Sequence, residues 1–187
     1  MSAVPASHKK EWTEEELQAL PDNGFNYELV NGELKMSPKN NFRHGDICAE
    51  LSMRLRYHAR KNHLGRVFDS NTGFWMNNRN CRAPDISFVS KARISGQNPN
   101  KFFQGGPDLA VEVLSPSNTR AEMEQRLRDY FESGTQITWI IDPETESAEG
   151  CYSITDRRLL GPGGEIEGEF LLPGFRCKLN ELFGPLE

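Results

Sequence analysis

Two stretches decide the fold of this chain, Ala83-Pro84-Asp85-Ile86-Ser87-Phe88-Val89 and Pro107-Asp108-Leu109-Ala110-Val111-Glu112-Val113-Leu114-Ser115-Pro116. Each is an apolar run of β-favouring residues that also contains carboxylates. A strand buried on both faces is normally continuously hydrophobic, and a bare charge in it is costly unless something compensates it. A divalent cation is one such compensation, because hard cations prefer carboxylate oxygens. These strands are therefore predicted to bring Asp85 and Glu112 to one metal ion.

Side-chain alternation along the second stretch separates its acidic face from its core face. Asp108 and Glu112 fall on one face, the first near the start of the strand and the second in its interior. Leu109, Val111 and Val113 fall on the other face, which is predicted to enter the core. Glu112 is therefore expected to be embedded in the protein.

Both acids also have purely structural interpretations. Asp85 follows Pro84 at the start of its strand, where an aspartate often caps or closes a turn. Glu112 could be a buried glutamate that pairs with an arginine. A structural protein with salt-bridged buried acids would gain support if the two carboxylates lay far apart in the fold.

Length and composition predict a single domain. The chain has 187 residues, of which 36% are hydrophobic and 26% charged. This is enough for one core, and residues 1–187 are read as one domain behind a loose leader at 1–11. No apolar run approaches the roughly 20 residues of a membrane span, and residues 1–10 lack the apolar segment of a signal peptide. A cytoplasmic protein without a membrane partner is expected.

Cysteine spacing and net charge narrow the function classes. The four cysteines share no CxxC spacing, which argues against a zinc site or a disulfide framework and favours free thiols. The net charge of −5 and the pI near 5.5 count mildly against a nucleic-acid partner, which usually meets a basic face. Local basic patches nevertheless matter more than the sum.

The first part of the chain contains a helix, a hairpin and a second, longer helix. Thr13 with Glu16 has the spacing of a capping box. Asn31-Gly32 between two short apolar runs predicts a hairpin with a type I′ turn. Residues 43–63 are predicted to form a long helix because apolar residues recur in it every four positions. That buried stripe consists of Ile47, Leu51, Leu55 and Ala59.

The rest of the chain alternates between strands and one further helix. Strands are predicted at 66–68, 73–76 and 137–141, and short strands and turns at 150–154, 158–160 and 169–172 of the C-terminal region. A helix is predicted to begin at 117–119 and to end at Gly134. The expected fold class is α/β, with a mixed central sheet flanked by helices, an added N-terminal hairpin and C-terminal strands.

Basic and imidazole side chains accompany the predicted helices. Arg43, Arg54 and Lys61 lie along one flank of the long helix, and His44 lies beside its apolar stripe. On the second helix, Glu122 and Arg126 could form an ordinary i,i+4 ion pair. Alternatively, Arg126 points over the carboxylates as a fixed positive charge.

Several stretches, taken in order, resemble the Uma family of putative restriction endonucleases. They cover the chain from about Trp12 to Pro143, and Glu112-Val113-Leu114-Ser115-Pro116-Ser117 is the most specific. The others are Tyr27-Glu28-Leu29-Val30-Asn31-Gly32-Glu33-Leu34, Arg43-His44, Gly65-Arg66-Val67-Phe68, Pro84-Asp85-Ile86-Ser87-Phe88-Val89, Gly106-Pro107-Asp108-Leu109-Ala110-Val111 and Trp139-Ile140-Ile141-Asp142-Pro143. The resemblance implies a restriction-endonuclease-like fold, whose active site is written PD…(D/E)xK.

The same resemblance implies roles for individual residues. Asp85 and Glu112 would hold Mg²⁺, or Mn²⁺ as a substitute, together with the backbone carbonyl of Val113. The superfamily lysine is absent two positions after the glutamate, where Leu114 stands. In the Uma family that lysine is found on the next helix, and the matching position here is Arg126. Unlike lysine, arginine does not lose a proton, so the exchange puts catalytic rate in question more than metal binding.

The remaining predicted site residues lie around this centre. Glu28 matches a family-typical glutamate that completes the acidic site or pairs with Arg126 or His44. The predicted contacts to DNA are Arg43, His44, Arg54, Lys61 and Arg120.

Two functions follow from these assignments. The first is a Mg²⁺-dependent endonuclease that acts on DNA, expected as a homodimer because cutting two strands calls for two sites. The alternative is a catalytically degenerate nuclease-fold module that binds DNA or a protein partner.

Overall fold

Five helices and thirteen strands are present in residues 11–21, 25–37 and 39–184, which are the residues that the computed structural model describes. The predicted leader at 1–11 lies outside them except for Glu11. The helices are α1 (Glu14–Gln18), α2 (Phe42–Lys61), α3 (Lys91–Ile94), α4 (Arg120–Glu132) and α5 (Leu179–Leu182). The strands are β1 (Asn26–Val30), β2 (Glu33–Ser37), β3 (Gly65–Asp69), β4 (Phe74–Trp75), β5 (Cys81–Arg82), β6 (Ile86–Ser90), β7 (Phe103–Gln104), β8 (Leu109–Val113), β9 (Ile137–Asp142), β10 (Ser147–Cys151), β11 (Arg157–Leu160), β12 (Glu165–Glu167) and β13 (Arg176–Lys178).

A mixed six-stranded sheet forms the centre of the protein, as predicted. Its strand order is β11-β10-β9-β8-β6-β3. The β8 and β9 strands run parallel, with Glu112 beside Ile140, whereas β6 runs antiparallel to β8. Parallel neighbours need a crossover connection, and α4 supplies it. The strand that carries Glu112 is therefore joined directly to the helix that carries Arg126.

The predicted N-terminal hairpin belongs to a second sheet of order β2-β1-β5-β4-β7. Asn31 and Gly32 have φ values of 51° and 77°, as a type I′ turn requires at both central positions. Leu29 pairs with Cys81, which joins the hairpin to β5. This pairing brings Glu28 next to the segment that leads into Asp85.

The main core lies between the central sheet and α2. Ile47, Leu51, Leu55 and Ala59 are all buried against Leu109, Val111 and Val113, so the predicted helical stripe and the predicted core face of β8 meet. Within the described residues, no helix combines the length and the apolar character that crossing a membrane requires.

Of the C-terminal stretches predicted as short strands and turns, residues 169–172 contain no strand. Residues 169–172 form a turn, and the strands lie on either side of it, at β12 and β13. Glu169 has a φ of 50°, and the Leu172 amide donates to the Gly168 carbonyl at 2.9 Å. A chain that folds back on itself so tightly cannot also pair with a neighbouring strand, although Phe170, Leu171 and Leu172 are apolar.

Candidate metal centre

An open cleft of about 520 Å³ lies where the hairpin, the start of α2, the end of β8 and the start of α4 meet. Asp85, Glu112, Val113, Arg126 and Glu28 all line it. The predicted catalytic and metal-binding residues are thus assembled in one place. Asp85 and Glu112 share one cleft, so the structural alternative does not gain the support that a wide separation would have given it. Its other expectation is met, because Glu112 pairs with Arg126.

Asp85 is held by one of its two carboxylate oxygens. Its Oδ2 accepts a hydrogen bond from the backbone amide of Val113 at 2.8 Å and lies 3.2 Å from Nε2 of His44. The Val113 contact extends the link between β6 and β8 beyond their backbone pairing. Oδ1 has no hydrogen-bond partner among the described residues, and Asp85 lines the cleft.

Glu112 is fixed in the same one-sided manner. The Tyr130 hydroxyl donates a hydrogen bond to its Oε1, and Nη1 of Arg126 lies 3.3 Å from the same atom. Its Oε2 has no partner within 11–21, 25–37 and 39–184. Burial raises the pKa of Glu112 to about 7, against the lowering effect of Arg126, and the charges of Asp85 and Glu28 add to the increase.

Arg126 links the two glutamates of the cleft. Its Nη1 and Nη2 donate to the two oxygens of Glu28 at 2.8 and 2.7 Å, a bidentate pair, while Nη1 also reaches Glu112. Burial lowers the pKa of Arg126, but the charges of Glu112 and Glu28 outweigh it and raise that pKa well above its ordinary value. Glu122 instead accepts from Thr119 and caps α4. The fixed positive charge that the sequence suggested is therefore present.

A buried polar network that was not predicted supports this pair. Arg82 bonds Glu28 at 3.2 Å and Asp129 at 2.6 Å, and Asp129 is fully buried. The Ala83 amide donates to the second oxygen of Glu28 at 3.0 Å. No local spacing signals the Arg82–Asp129 pair, because 47 residues separate its members.

Tyr130 is a second residue that was not assigned to the site. It comes four positions after Arg126 on α4, so the two side chains share one face of the helix. That spacing is visible in the sequence. Burial and the neighbouring Glu112 carboxylate raise the pKa of Tyr130 well above its ordinary value, so its hydroxyl remains a donor.

His44 stands on the first turn of α2 and lines the cleft. Burial lowers its pKa, but the hydrogen bond and the charge of Asp85 outweigh burial, and the net shift is upward. The backbone of Val113 contributes to the same increase. The main partner of His44 is therefore Asp85, and this contact helps to fix the orientation of the Asp85 carboxylate.

The other predicted DNA contacts do not line the cleft. Arg43 pairs with Glu146 at 3.1 Å, and Arg54 with Glu50 and Glu181. Lys61 lies 5.8 Å from the centre of the Tyr57 ring. Arg120 is exposed at the first residue of α4.

The donor set fits a hard divalent cation. Asp85 and Glu112 each present an oxygen that is not used within the described protein, and carboxylates are the ligands that Mg²⁺ and Mn²⁺ prefer. Burial is the main cause of the raised pKa of Glu112, and the negative charges of Asp85 and Glu28, which a cation would offset, add to it. Arg126 already neutralises part of this negative charge, on the side of Glu112 that faces Glu28.

Comparison with known proteins identifies a family and a fold for this chain. Residues 14–180 match the family model described as Uma2, putative restriction endonuclease. The structure is similar to the crystal structure of a putative nuclease belonging to DUF820 from Anabaena variabilis, with a TM-score of 0.80 and 20% sequence identity. That similarity covers 92% of this chain and 97% of the other, and at this identity it establishes the fold alone. No curated protein matches the chain.

Proposed function

The chain belongs to the Uma2 family of putative restriction endonucleases, and from this we propose that it is a Mg²⁺-dependent endonuclease that hydrolyses phosphodiester bonds in DNA. The observation that carries the proposal is the assembly of Asp85 and Glu112 in one cleft, each with one oxygen held and one oxygen unused. Mn²⁺ is expected to substitute for Mg²⁺, because both are hard cations with oxygen ligands.

The metal ligands in this proposal are Asp85, Glu112 and the carbonyl of Val113. A bound Mg²⁺ would polarise the scissile phosphate and lower the pKa of the attacking water. The protein holds these ligands before the metal arrives. Val113 and His44 fix one oxygen of Asp85, and Tyr130 and Arg126 fix one oxygen of Glu112. Such supporting contacts orient ligands and reduce the reorganisation that binding requires.

Arg126 is assigned an electrostatic role. It keeps its charge at any working pH, so it cannot take a proton from water, but it can stabilise negative charge that develops on the phosphate. Glu28 uses both oxygens on Arg126, Arg82 and the Ala83 amide. We therefore assign Glu28 to holding Arg126, instead of to the metal.

The DNA contacts are proposed near the ends of the cleft. Arg43 adjoins His44, and Arg120 adjoins Ala121, which lines the cleft. Arg54 and Lys61 lie further along α2 and would contact the phosphate backbone of the DNA beyond the cleft. We also propose a homodimer, because the candidate cleft of each chain would cut one strand of the DNA.

Metal titration joined to a nuclease assay tests the proposal. Calorimetry with Mg²⁺ and with Mn²⁺ should show binding to the unmodified protein and to the exposed-site control Glu144→Ala, and none to Glu112→Ala. Supercoiled plasmid should be cut by the first two proteins and not by Asp85→Ala or Glu112→Ala. Cleavage that survives in Asp85→Ala would overturn the proposed site.

One observation favours a second candidate, a degenerate module that binds DNA without cutting it. Arg126 lies between Glu28 and Glu112 and balances part of their negative charge in the absence of a metal ion. In that case neither Mg²⁺ nor Mn²⁺ binds, and DNA affinity does not change between the unmodified protein and Glu112→Ala.

A further inference from the structure

We propose that His44 and Cys48 form a separate binding site for a thiophilic divalent cation such as Zn²⁺ or Co²⁺. The two residues are four positions apart on α2, so their side chains share one face of the helix. Nδ1 of His44 lies 3.5 Å from Sγ of Cys48. In a tetrahedral site, bonds of about 2.0 Å to nitrogen and about 2.3 Å to sulfur separate these two atoms by about 3.5 Å. The pair is therefore already at ligating distance.

Asp85 completes the arrangement from β6. Its Oδ2 lies 3.2 Å from Nε2 of His44, and one ligand atom from each of the three residues lies within 4.8 Å of the others. A histidine that ligates a metal usually donates its other ring N–H to a carboxylate, which fixes the tautomer. Asp85 stands in that position, and in the tautomer that carries the proton on Nε2 the lone pair of Nδ1 is directed to the side of Cys48. Nδ2 of Asn40 also lies 3.2 Å from Nε2.

The ligand chemistry selects a different ion from the one proposed for Asp85 and Glu112. Thiolate and imidazole favour Zn²⁺ and Co²⁺ over Mg²⁺. The Cys48 thiol is half-buried, and burial raises its pKa. On binding, the S–H bond breaks, its proton passes to solvent and the sulfur pair forms the bond to the metal. Only an ion with high affinity for thiolate can drive this step.

The two sites compete through Asp85. In the proposed nuclease, Asp85 offers Oδ1 to Mg²⁺ while its Oδ2 contacts His44, so an ion bound to His44 would place a second positive charge beside the same carboxylate. A thiophilic ion is therefore expected to weaken Mg²⁺ binding and to inhibit cleavage. Only this competition rests on the proposed function, since the His44–Cys48 site rests on its own geometry.

Cobalt titration of the reduced protein tests the site directly. Co²⁺ should produce a thiolate-to-metal charge-transfer band in the unmodified protein and in the control Cys177→Ser, and Zn²⁺ should remove that band. The band should be absent in Cys48→Ser. In His44→Gln, the band should be lost, or the affinity for Co²⁺ should fall at least tenfold. No band in the unmodified protein, or an unchanged band in Cys48→Ser, would overturn the proposal.

A second measurement needs no variant. Alkylation followed by mass spectrometry should show that Zn²⁺ protects Cys48, whereas Mg²⁺ does not. Equal labelling of Cys48 with and without Zn²⁺ would contradict the site.

If Glu112→Gln keeps the cobalt band while Mg²⁺ binds to no form of the protein, the nuclease proposal fails and the thiophilic site stands.

Discussion

Arg126 holds Glu28 through two parallel hydrogen bonds, from Nη1 to Oε1 at 2.8 Å and from Nη2 to Oε2 at 2.7 Å. This geometry depends on the planar guanidinium, because an ammonium group cannot make both bonds in one plane. Arg126 therefore ties α4 to the hairpin, and its exchange should have a structural cost as well as a chemical effect.

Arg126→Lys should lower the free energy of unfolding by about 2 kcal/mol. The charge is retained, but one of the two bonds to a largely buried carboxylate is lost. Urea denaturation without divalent metal measures the difference. Arg128→Lys, an exposed change on the same helix, is the control and should alter stability by less than about 0.5 kcal/mol. Equal stability of the Arg126→Lys variant and the unmodified protein would show that the pairing contributes little.

Glu112→Gln should become more stable relative to the unmodified protein as pH rises. Glu112 has a folded-state pKa of about 7 against an ordinary value of 4.5, so the folded chain keeps a proton that the unfolded chain releases between these values. The contribution of this group is present below the lower pKa and is lost as pH rises through the higher one. The difference should change by up to about 1.4 kcal/mol per pH unit in that window.

Urea denaturation at several pH values in the presence of a chelator measures this difference. A constant gap between Glu112→Gln and the unmodified protein across the window would mean that the pKa of Glu112 is not raised.

Tyr130→Phe should shift the pH dependence of metal binding upward. The Tyr130 hydroxyl donates to Glu112 and so favours its ionised form. Without this bond the pKa of Glu112 should rise further above about 7, and a carboxylate must lose its proton to bind a cation. Calorimetric titration of Mn²⁺ across pH should show a higher midpoint than in Tyr57→Phe, an exposed control. Coincident midpoints would argue against the role of the hydroxyl.

Asp129→Ala should destabilise the protein by about 3 to 5 kcal/mol, because it leaves Arg82 buried without its main counter-charge. Thermal or urea denaturation tests this, with the exposed Asp156→Ala as the control. Since Arg82 also bonds Glu28, the variant should have weaker metal binding as well. A loss below about 1 kcal/mol would mean that Arg82 finds another partner.

Local patterns predicted most of the fold. Four-residue spacing located α2, Asn31-Gly32 located the hairpin, and the alternation in β8 correctly assigned Leu109, Val111 and Val113 to the main core. These features depend on neighbours in sequence. Residues 169–172, predicted only within a set of short strands and turns, form a turn, and composition alone does not distinguish the two.

Candidate site residues were predictable where one element carried the signal. Asp85, Glu112 and Arg126 stood out as charges within or beside apolar patterns, and the structure brings them together. Arg82 and Asp129 could not be found in this way, since their pairing depends on how the hairpin sheet packs against α4. The meeting of His44 with Asp85 likewise requires α2 to lie across the start of β6.

The direct crossover from β8 through α4 to β9 has a consequence for how the centre assembles. Glu112 meets Arg126 and Tyr130 across only 14 and 18 residues, so these contacts close short loops and cost little chain entropy. Arg126 meets Glu28 across 98 residues. We expect Glu112 to associate with α4 before the hairpin docks, because closing the longer loop costs more chain entropy. On this expectation, the charge of the cleft is balanced only once the hairpin has docked.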